Sequence, residues 1–196
     1  MLKQNNYQQL IMKTQEFRIF LEALFSATER IHPKYFKLPV AFEEEFVYRE
    51  RAYCYELYHQ IRNILPEDYP YLLSGEVNKA GHPLIAGHCG SIIPDFLVHN
   101  AGKMGTNDNL AIVEVKTIQG ANLNREHDGL LKDFDTINCM TNIPMGYYRG
   151  IILIFGSNNQ EKKDEICRIF SQRCDTNTVL LLFHNNPLEK AVQIEF

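Results

Sequence analysis

Between Ile92 and Thr117 the chain reads IIPDFLVHN-AGKMGTNDN-LAIVEVKT, two apolar runs rich in Ile, Leu and Val around a loop of Gly, Asn, Asp and Lys. That pattern predicts a β-hairpin with a long loop. It constrains the chain more than any other stretch, because each run carries charge where a buried strand should carry none. Asp95 lies in the first run, and Glu114 and Lys116 lie in the second. Burying an unpaired carboxylate or ammonium is costly or shifts its pKa, so such groups usually serve a metal, an ion pair or a reaction.

With Asn100 and Asn109 taken to face each other across the loop, antiparallel pairing keeps the sum of partner numbers constant. Asp95 is then expected opposite Glu114. Opposed residues project to one face with Cβ atoms about 4.5–5.5 Å apart, and Lys116 shares that face by the period of two. Two carboxylates held that close repel unless a cation sits between them. An oxygen donor set with a partly open coordination sphere suits Mg²⁺ or Mn²⁺ better than zinc. The backbone carbonyl of Val115, between the two side chains, adds a further oxygen ligand. Lys116 can position or deprotonate an attacking water, or neutralise charge that builds on a phosphate in the transition state.

The rest of the chain frames this hairpin with helices. Residues 1–13 are expected to form a loosely attached arm or short helix, and apolar residues from Phe17 to Phe25 recur at helical spacing up to about His32-Pro33. A longer helix is expected from Ala41 to Leu65, with Glu43, Glu44 and Glu45 in its first turn, where acidic groups favour the helix dipole. Its apolar stripe contains Phe46, Tyr53, Cys54, Leu57, Ile61 and Ile64, and Glu50 falls near the centre of that stripe, whereas Glu56 falls toward the polar flank. Residues 71–87 read as a strand, a turn and a return, with Glu76 near the first strand's end. A helix over Asn122–Asn142 and a buried strand around Ile151–Phe155 follow. Then come a short amphipathic helix, a second buried strand in TVLLLFHN and an edge strand in AVQIEF. Strands that alternate with helices imply parallel pairing and a sheet covered on both faces. The expected class is therefore α/β, a sandwich with a mixed central sheet.

At 196 residues the chain suits one domain, 1–196, with a sizeable core. No run of eighteen apolar residues occurs and the first residues, MLKQNNYQQL, are polar. The expectation is a protein without a membrane span or secretory signal, located in the cytoplasm. The five cysteines lack paired CxxC spacing and read as reduced thiols. A net charge of −4 argues against a protein that coats nucleic acid non-specifically, while leaving room for a local basic groove.

Pro94-Asp95, followed across a hairpin by Glu114-Val115-Lys116, resembles the PD-(D/E)xK nuclease superfamily, the restriction-endonuclease-like fold. The resemblance implies a nuclease-like core over 41–156, an N-terminal helical extension over 1–40, and a C-terminal helix and strand over 157–196 completing the sheet. In that family the Asp and the (D/E) bind a divalent metal, the Lys assists the attacking water, and a Glu on the first core helix often completes the site. Carried over, these are Asp95, Glu114, Lys116 and Glu50, with Glu56 the competing helix residue and Glu76 a further carboxylate within reach of the metal. The implied activity is Mg²⁺- or Mn²⁺-dependent hydrolysis of DNA phosphodiester bonds. RNA stays open as a substrate, a homodimer is compatible, and no membrane partner is expected. The competing reading is a catalytically inactive nuclease-like module that binds a protein partner or nucleic acid.

Other signals have plainer readings. His82, His88 and Cys89 invite zinc but lack the four-ligand spacing of a structural site, so they read as loop histidines and a thiol. Lys132, Asp133 and Asp135 read as a solvated helix face. Tyr48, Tyr53, Tyr55 and Tyr58 read as aromatic core before base-stacking groups. Arg49, Arg51, Arg62 and Arg125 read as surface charges that can meet phosphates.

Overall fold

The sheet is covered by helices on both faces because its strands carry apolar residues on both. In the computed structural model the described residues are 2–196 apart from 43–44, 79–82, 91, 104, 106, 124–128, 144–145 and 158, with the side chains of 2–6, 83, 84 and 86 also left aside. The chain opens with α1 (Leu2–Thr28), α2 (Pro33–Phe36), β1 (Leu38–Pro39), β2 (Phe46–Val47) and α3 (Glu50–Ile64). It continues with β3 (Leu72–Gly75), α4 (Pro83–Cys89), β4 (Phe96–His99), β5 (Asn109–Thr117) and α5 (Gly129–Asn142). Last come β6 (Arg149–Phe155), α6 (Gln160–Arg173), β7 (Val179–His184) and β8 (Val192–Gln193).

Six strands form one sheet in the order β3-β4-β5-β6-β7-β8. β3, β4 and β5 pair antiparallel, β5, β6 and β7 pair parallel, and β8 closes the far edge antiparallel. Alternate residues of each strand enter opposite cores, as the pleat requires. Val98, Val113, Val115 and Leu153 pack with Phe20 and Leu24 of α1 and Leu57 and Ile61 of α3. Leu97, Ile112, Ile152 and Ile154 pack with Leu130 and Phe134 of α5 and Ile166 and Phe170 of α6. The mixed sheet between helical layers agrees with the expected α/β class.

Several elements depart from the sequence expectations. α1 runs unbroken from Leu2, so residues 2–13 are helical and not a separate arm. Thr14 sits inside it, and its Oγ1 donates to the Leu10 carbonyl at 2.8 Å, the intrahelical bond that lets Thr occupy a helix interior. α3 begins at Glu50, not Ala41. The chain before it turns through a left-handed Phe42 (φ 67°) to form the β1–β2 hairpin, pairing Leu38 with Val47 and Pro39 with Phe46. Glu50 is consequently the acidic residue of the first turn. Glu45 lies ahead of the helix, and Glu43 and Glu44 fall outside the described residues.

The expected return strand after β3 is α4, which starts at Pro83, a residue whose fixed φ and missing N–H suit a first helical turn. α5 starts at Gly129, with Arg125 among the residues before it that are not described. The cysteines are not all reduced: Cys89 and Cys139 form a disulfide that ties α4 to α5, while Cys54, Cys167 and Cys174 are free. Partners separated by 50 residues are brought together only by tertiary packing, which is why spacing rules miss them. That bond also removes Cys89 from any zinc set, and His82 lies outside the described residues. Among the described residues no helix is long and apolar enough to cross a membrane.

Candidate active site

The hairpin β4–β5 pairs Phe96 with Val113, Leu97 with Ile112 and Val98 with Ala111. The same register, carried one residue outward, sets Asp95 against Glu114. Near the loop a bulge between Val98 and His99 shifts the pairing, so His99 faces Asn109 and the Asn100 N–H donates to the Asp108 carbonyl at 2.8 Å. Asn100 and Asn109 are therefore not partners. The register expected at the charged end is met all the same, because the extra residue of the bulge offsets the one-residue error in the pair assumed at the loop.

β4 begins at Phe96, so beyond that point β5 has a β6 neighbour but no β4 neighbour. The Asp95 side chain fills part of that gap, its Oδ2 accepting the Val115 N–H at 2.7 Å. A strand residue's N–H and C=O leave on the same edge, so the Val115 carbonyl opens into the same gap. By alternation Glu114 and Lys116 share the face of Ile112, toward α5. Glu114 is 9% exposed, a carboxylate nearly buried between Val113 and Val115, which are 0% and 1% exposed.

Lys116 sits between two further carboxylates. Its Nζ donates to Glu50 Oε2 at 3.2 Å and lies 3.2 Å from Asp133 Oδ2 on α5. The Asp133 contact is one of charge without hydrogen-bond geometry, so Asp133 Oδ2 stays a buried acceptor lacking a hydrogen-bond donor among the described residues. Glu50 reaches Lys116 from the other helical layer by passing round the end of β5. Its Oε1 also takes a long bond, 3.5 Å, from the Thr117 N–H. Gly120 makes that approach possible: a Cβ there would lie 3.1 Å from Glu50 Oε1 and 2.7 Å from Thr117 Oγ1. Any side chain at Gly120 would push the Glu50 carboxylate away.

The electrostatics separate two pairs of acids. Burial pushes the Asp95 carboxyl up to about 6, against the Val115 N–H and Lys116, which favour its anion. Burial, and then the Asp95 and Asp133 charges, hold Glu114 well above the ordinary carboxylate range. Burial also raises Asp133, with Lys116 opposing the rise. For Lys116 burial alone would lower the pKa, but Asp133 and Glu50 outweigh it and hold the ammonium above its usual value. The ammonium is thus a fixed cation at any physiological pH, flanked by two acids, while Asp95 and Glu114 crowd each other.

A crowded, buried pair of carboxylates is a donor set that a hard divalent cation stabilises. Among the described residues no group of three or more His, Cys, Asp or Glu side chains is placed to hold a metal ion. Mg²⁺ does not require one, since it is commonly held by one or two carboxylates and completes its shell with water and phosphate oxygens. Asp95, Glu114 and the Val115 carbonyl fit that mode.

The remaining candidates stand apart. Glu56 accepts a bond from Gln60 Nε2 at 2.7 Å on its own helix, and Glu76 pairs with Arg51 at 3.2 Å. Glu76 still borders the cluster. Its N–H donates to the Asp95 carbonyl at 3.1 Å, and with Asp95, Tyr55 and Tyr58 it lines a cavity of about 260 Å³ that gives solvent a route to Asp95. Of the four tyrosines, Tyr53 is fully buried, stacked on Phe155 and bonded to His184, whereas Tyr55 is exposed. Asp133, expected on a solvated helix face, instead lies against Lys116 with its side chain 15% exposed. Its helical phase signals that placement, because it lies three residues after Leu130 and four before Ile137, both fully buried.

Comparison with protein-family models, with curated proteins and with solved structures finds no match for this chain.

Proposed function

We propose that the protein is a divalent-metal-dependent phosphodiesterase that hydrolyses DNA, built on a restriction-endonuclease-like version of the α/β sandwich. The observation that carries this reading is the Asp95–Glu114 pair at the open edge of β5, Glu114 buried and Asp95 partly buried, with Lys116 two residues on along the same face. Bound at that pair, Mg²⁺ or Mn²⁺ would polarise a phosphate and lower the pKa of a bound water. Asp95, Glu114 and the Val115 carbonyl would hold that ion, and Asp95 is itself fixed by the Val115 N–H. Lys116 acts as a permanent cation that offsets the charge on the phosphorus oxygens in the transition state, not as the base that removes a proton, because Glu50 and Asp133 keep it protonated. Glu50 and Asp133 are positioning residues that aim the ammonium.

Incubating the purified protein with supercoiled plasmid, single-stranded and branched DNA in Mg²⁺ or Mn²⁺ tests this reading. Cleavage is expected with the wild type and absent with Asp95→Ala and Lys116→Ala. Cleavage undiminished in either variant removes the assigned roles.

The pairing of Lys116 with two acids also favours a second reading, a nuclease-like binding module in which the cluster is an ion-pair network that only holds α3 and α5 to the sheet. Calorimetric titration with Mn²⁺ separates the two. A folded wild type that binds no Mn²⁺ favours the module.

A further inference from the structure

A second cavity, of about 610 Å³, lies between the α2–β2 segment and the residues that follow β6 and β7. That volume is within the roughly 300–1,000 Å³ typical of small-ligand sites. Phe36 and Tyr48 are the buried aromatic residues that line it, and Phe46 of β2, 57% exposed, lies at its mouth. Tyr48 is fixed there through its hydroxyl, which accepts the Ser157 N–H at 2.9 Å. It also precedes Glu50 by two residues, so the cavity wall and the carboxylate that aims Lys116 belong to one short segment.

The polar lining is specific. Asn185 Oδ1 accepts from Lys163, which can only donate, so the Asn185 amide presents its NH₂ as the unused group. Asn186 Nδ2 donates to Glu189 Oε2 at 2.8 Å, and a carboxylate can only accept, so Asn186 presents its carbonyl oxygen. Consecutive lining residues thus keep one donor and one acceptor. Lys34 and Lys37 also line the cavity, the Lys37 ammonium 5.1 Å from the centre of the Tyr48 ring, and no carboxylate is among its described lining residues. In a chain of net charge −4, two cations beside an aromatic platform make a local exception.

We infer that this cavity takes a single unpaired nucleobase of the substrate strand, stacked on Phe46 and read by Asn185 and Asn186, with Lys34 and Lys37 on its phosphates. Aromatic faces accept any base, the neighbouring donor and acceptor match the edge of a base, and the lysines match the strand's charge. A duplex keeps its bases stacked inside, so this site selects single-stranded or locally opened nucleic acid. The inference rests on the phosphodiesterase reading for the identity of the strand.

The experiment is fluorescence anisotropy in EDTA, which prevents cleavage, with the full chain, a labelled oligothymidylate and an all-abasic strand of equal length. Phe46→Ala is expected to weaken oligothymidylate binding roughly 5- to 100-fold and to leave the abasic strand unchanged, while Phe46→Tyr restores wild-type affinity. Lys34→Ala/Lys37→Ala is expected to weaken both strands and to flatten the salt dependence. Phe46 is exposed, so the variants should fold, and circular dichroism confirms it. Unchanged oligothymidylate binding by Phe46→Ala, equal loss on both strands, or no binding by the wild type overturns the inference. Plasmid cleavage that depends on Lys116, together with an indifferent Phe46, removes the base site and leaves the phosphodiesterase. Base-dependent binding by a protein that cleaves no substrate does the reverse.

Discussion

The two halves of β5 are almost equally buried and have opposite chemistry. Leu110, Ala111, Ile112 and Val113 are fully buried and carry only hydrocarbon, whereas Glu114, Val115, Lys116 and Thr117 place two charges in the same strand. In the first half Ala111, Ile112 and Val113 are paired on both edges, by β4 and by β6. The second has β6 alone, with the Asp95 carboxylate bonded to the backbone on the open edge. Burial alone therefore does not mark a core. What separates the halves is whether a neighbouring strand completes the ladder, and where it stops, a polar site with a route to solvent becomes possible.

The largest expected effect lies in the charged half. Lys116→Ala should lower the cleavage rate about 10²–10³-fold, the usual loss on removing one group that stabilises developing charge, as read by single-turnover kinetics. In the apolar half, Ile112→Ala should destabilise the fold by about 2–5 kcal/mol in urea denaturation while leaving cleavage per folded molecule unchanged. Equal damage to activity in the two variants would erase the distinction between the halves.

Asp95→Asn should do the opposite of Ile112→Ala. The folded pKa of Asp95 is raised to about 6 from an ordinary 3.8, so the protonated form is the one folding favours. The stability it contributes is complete below about pH 4 and lost as pH rises through 6. Lys116, Asp133 and Glu50 act on Asp95, and Asp95 in turn acts on Glu114. The variant should therefore gain on the order of 1–3 kcal/mol at pH 7, at 1.36 kcal/mol per pKa unit, and gain little at pH 4. It should lose cleavage at the same time. A wild-type stability that does not fall between pH 4 and 6 would contradict the crowded pair.

Saturating Mn²⁺ relieves the same repulsion. It should raise the melting temperature at pH 7.5 by the equivalent of about 2.7 kcal/mol at a hundredfold excess over Kd, less at pH 5, and not at all in Asp95→Asn. Glu56→Gln should have the smallest effect, within about 0.5 kcal/mol in stability and without change in cleavage. Its partner is Gln60 on the same helix. A Glu56→Gln variant as inactive as Lys116→Ala would make Glu56, not Glu50, the helix carboxylate of the site.

The hairpin was legible because period-two patterning is a local property, so Glu114 and Lys116 fall on one face of their strand by parity alone. Placing Asp95 on that face depends on the register, which shifts by one residue at the bulge between Val98 and His99. The α/β class followed from strands alternating with helices, and the edge strand at Val192–Gln193 followed from its position after a buried one. The long helix before the hairpin was misjudged in its start, since the apolar phase continues smoothly back through Phe46 while the backbone does not. A left-handed Phe42 and the β1–β2 pairing override the helical pattern there.

What the sequence by itself determined was the content of the site and the shared face of Glu114 and Lys116, because side-chain direction within a strand depends only on residue parity. Tertiary structure alone decided the state of those groups. The start of β4 leaves the Val115 edge open, Gly120 lets Glu50 come round the end of β5, and α5 delivers Asp133 to Lys116. These are contacts between residues distant along the chain. Electrostatic fields act through space, so no reading of sequence order can supply them.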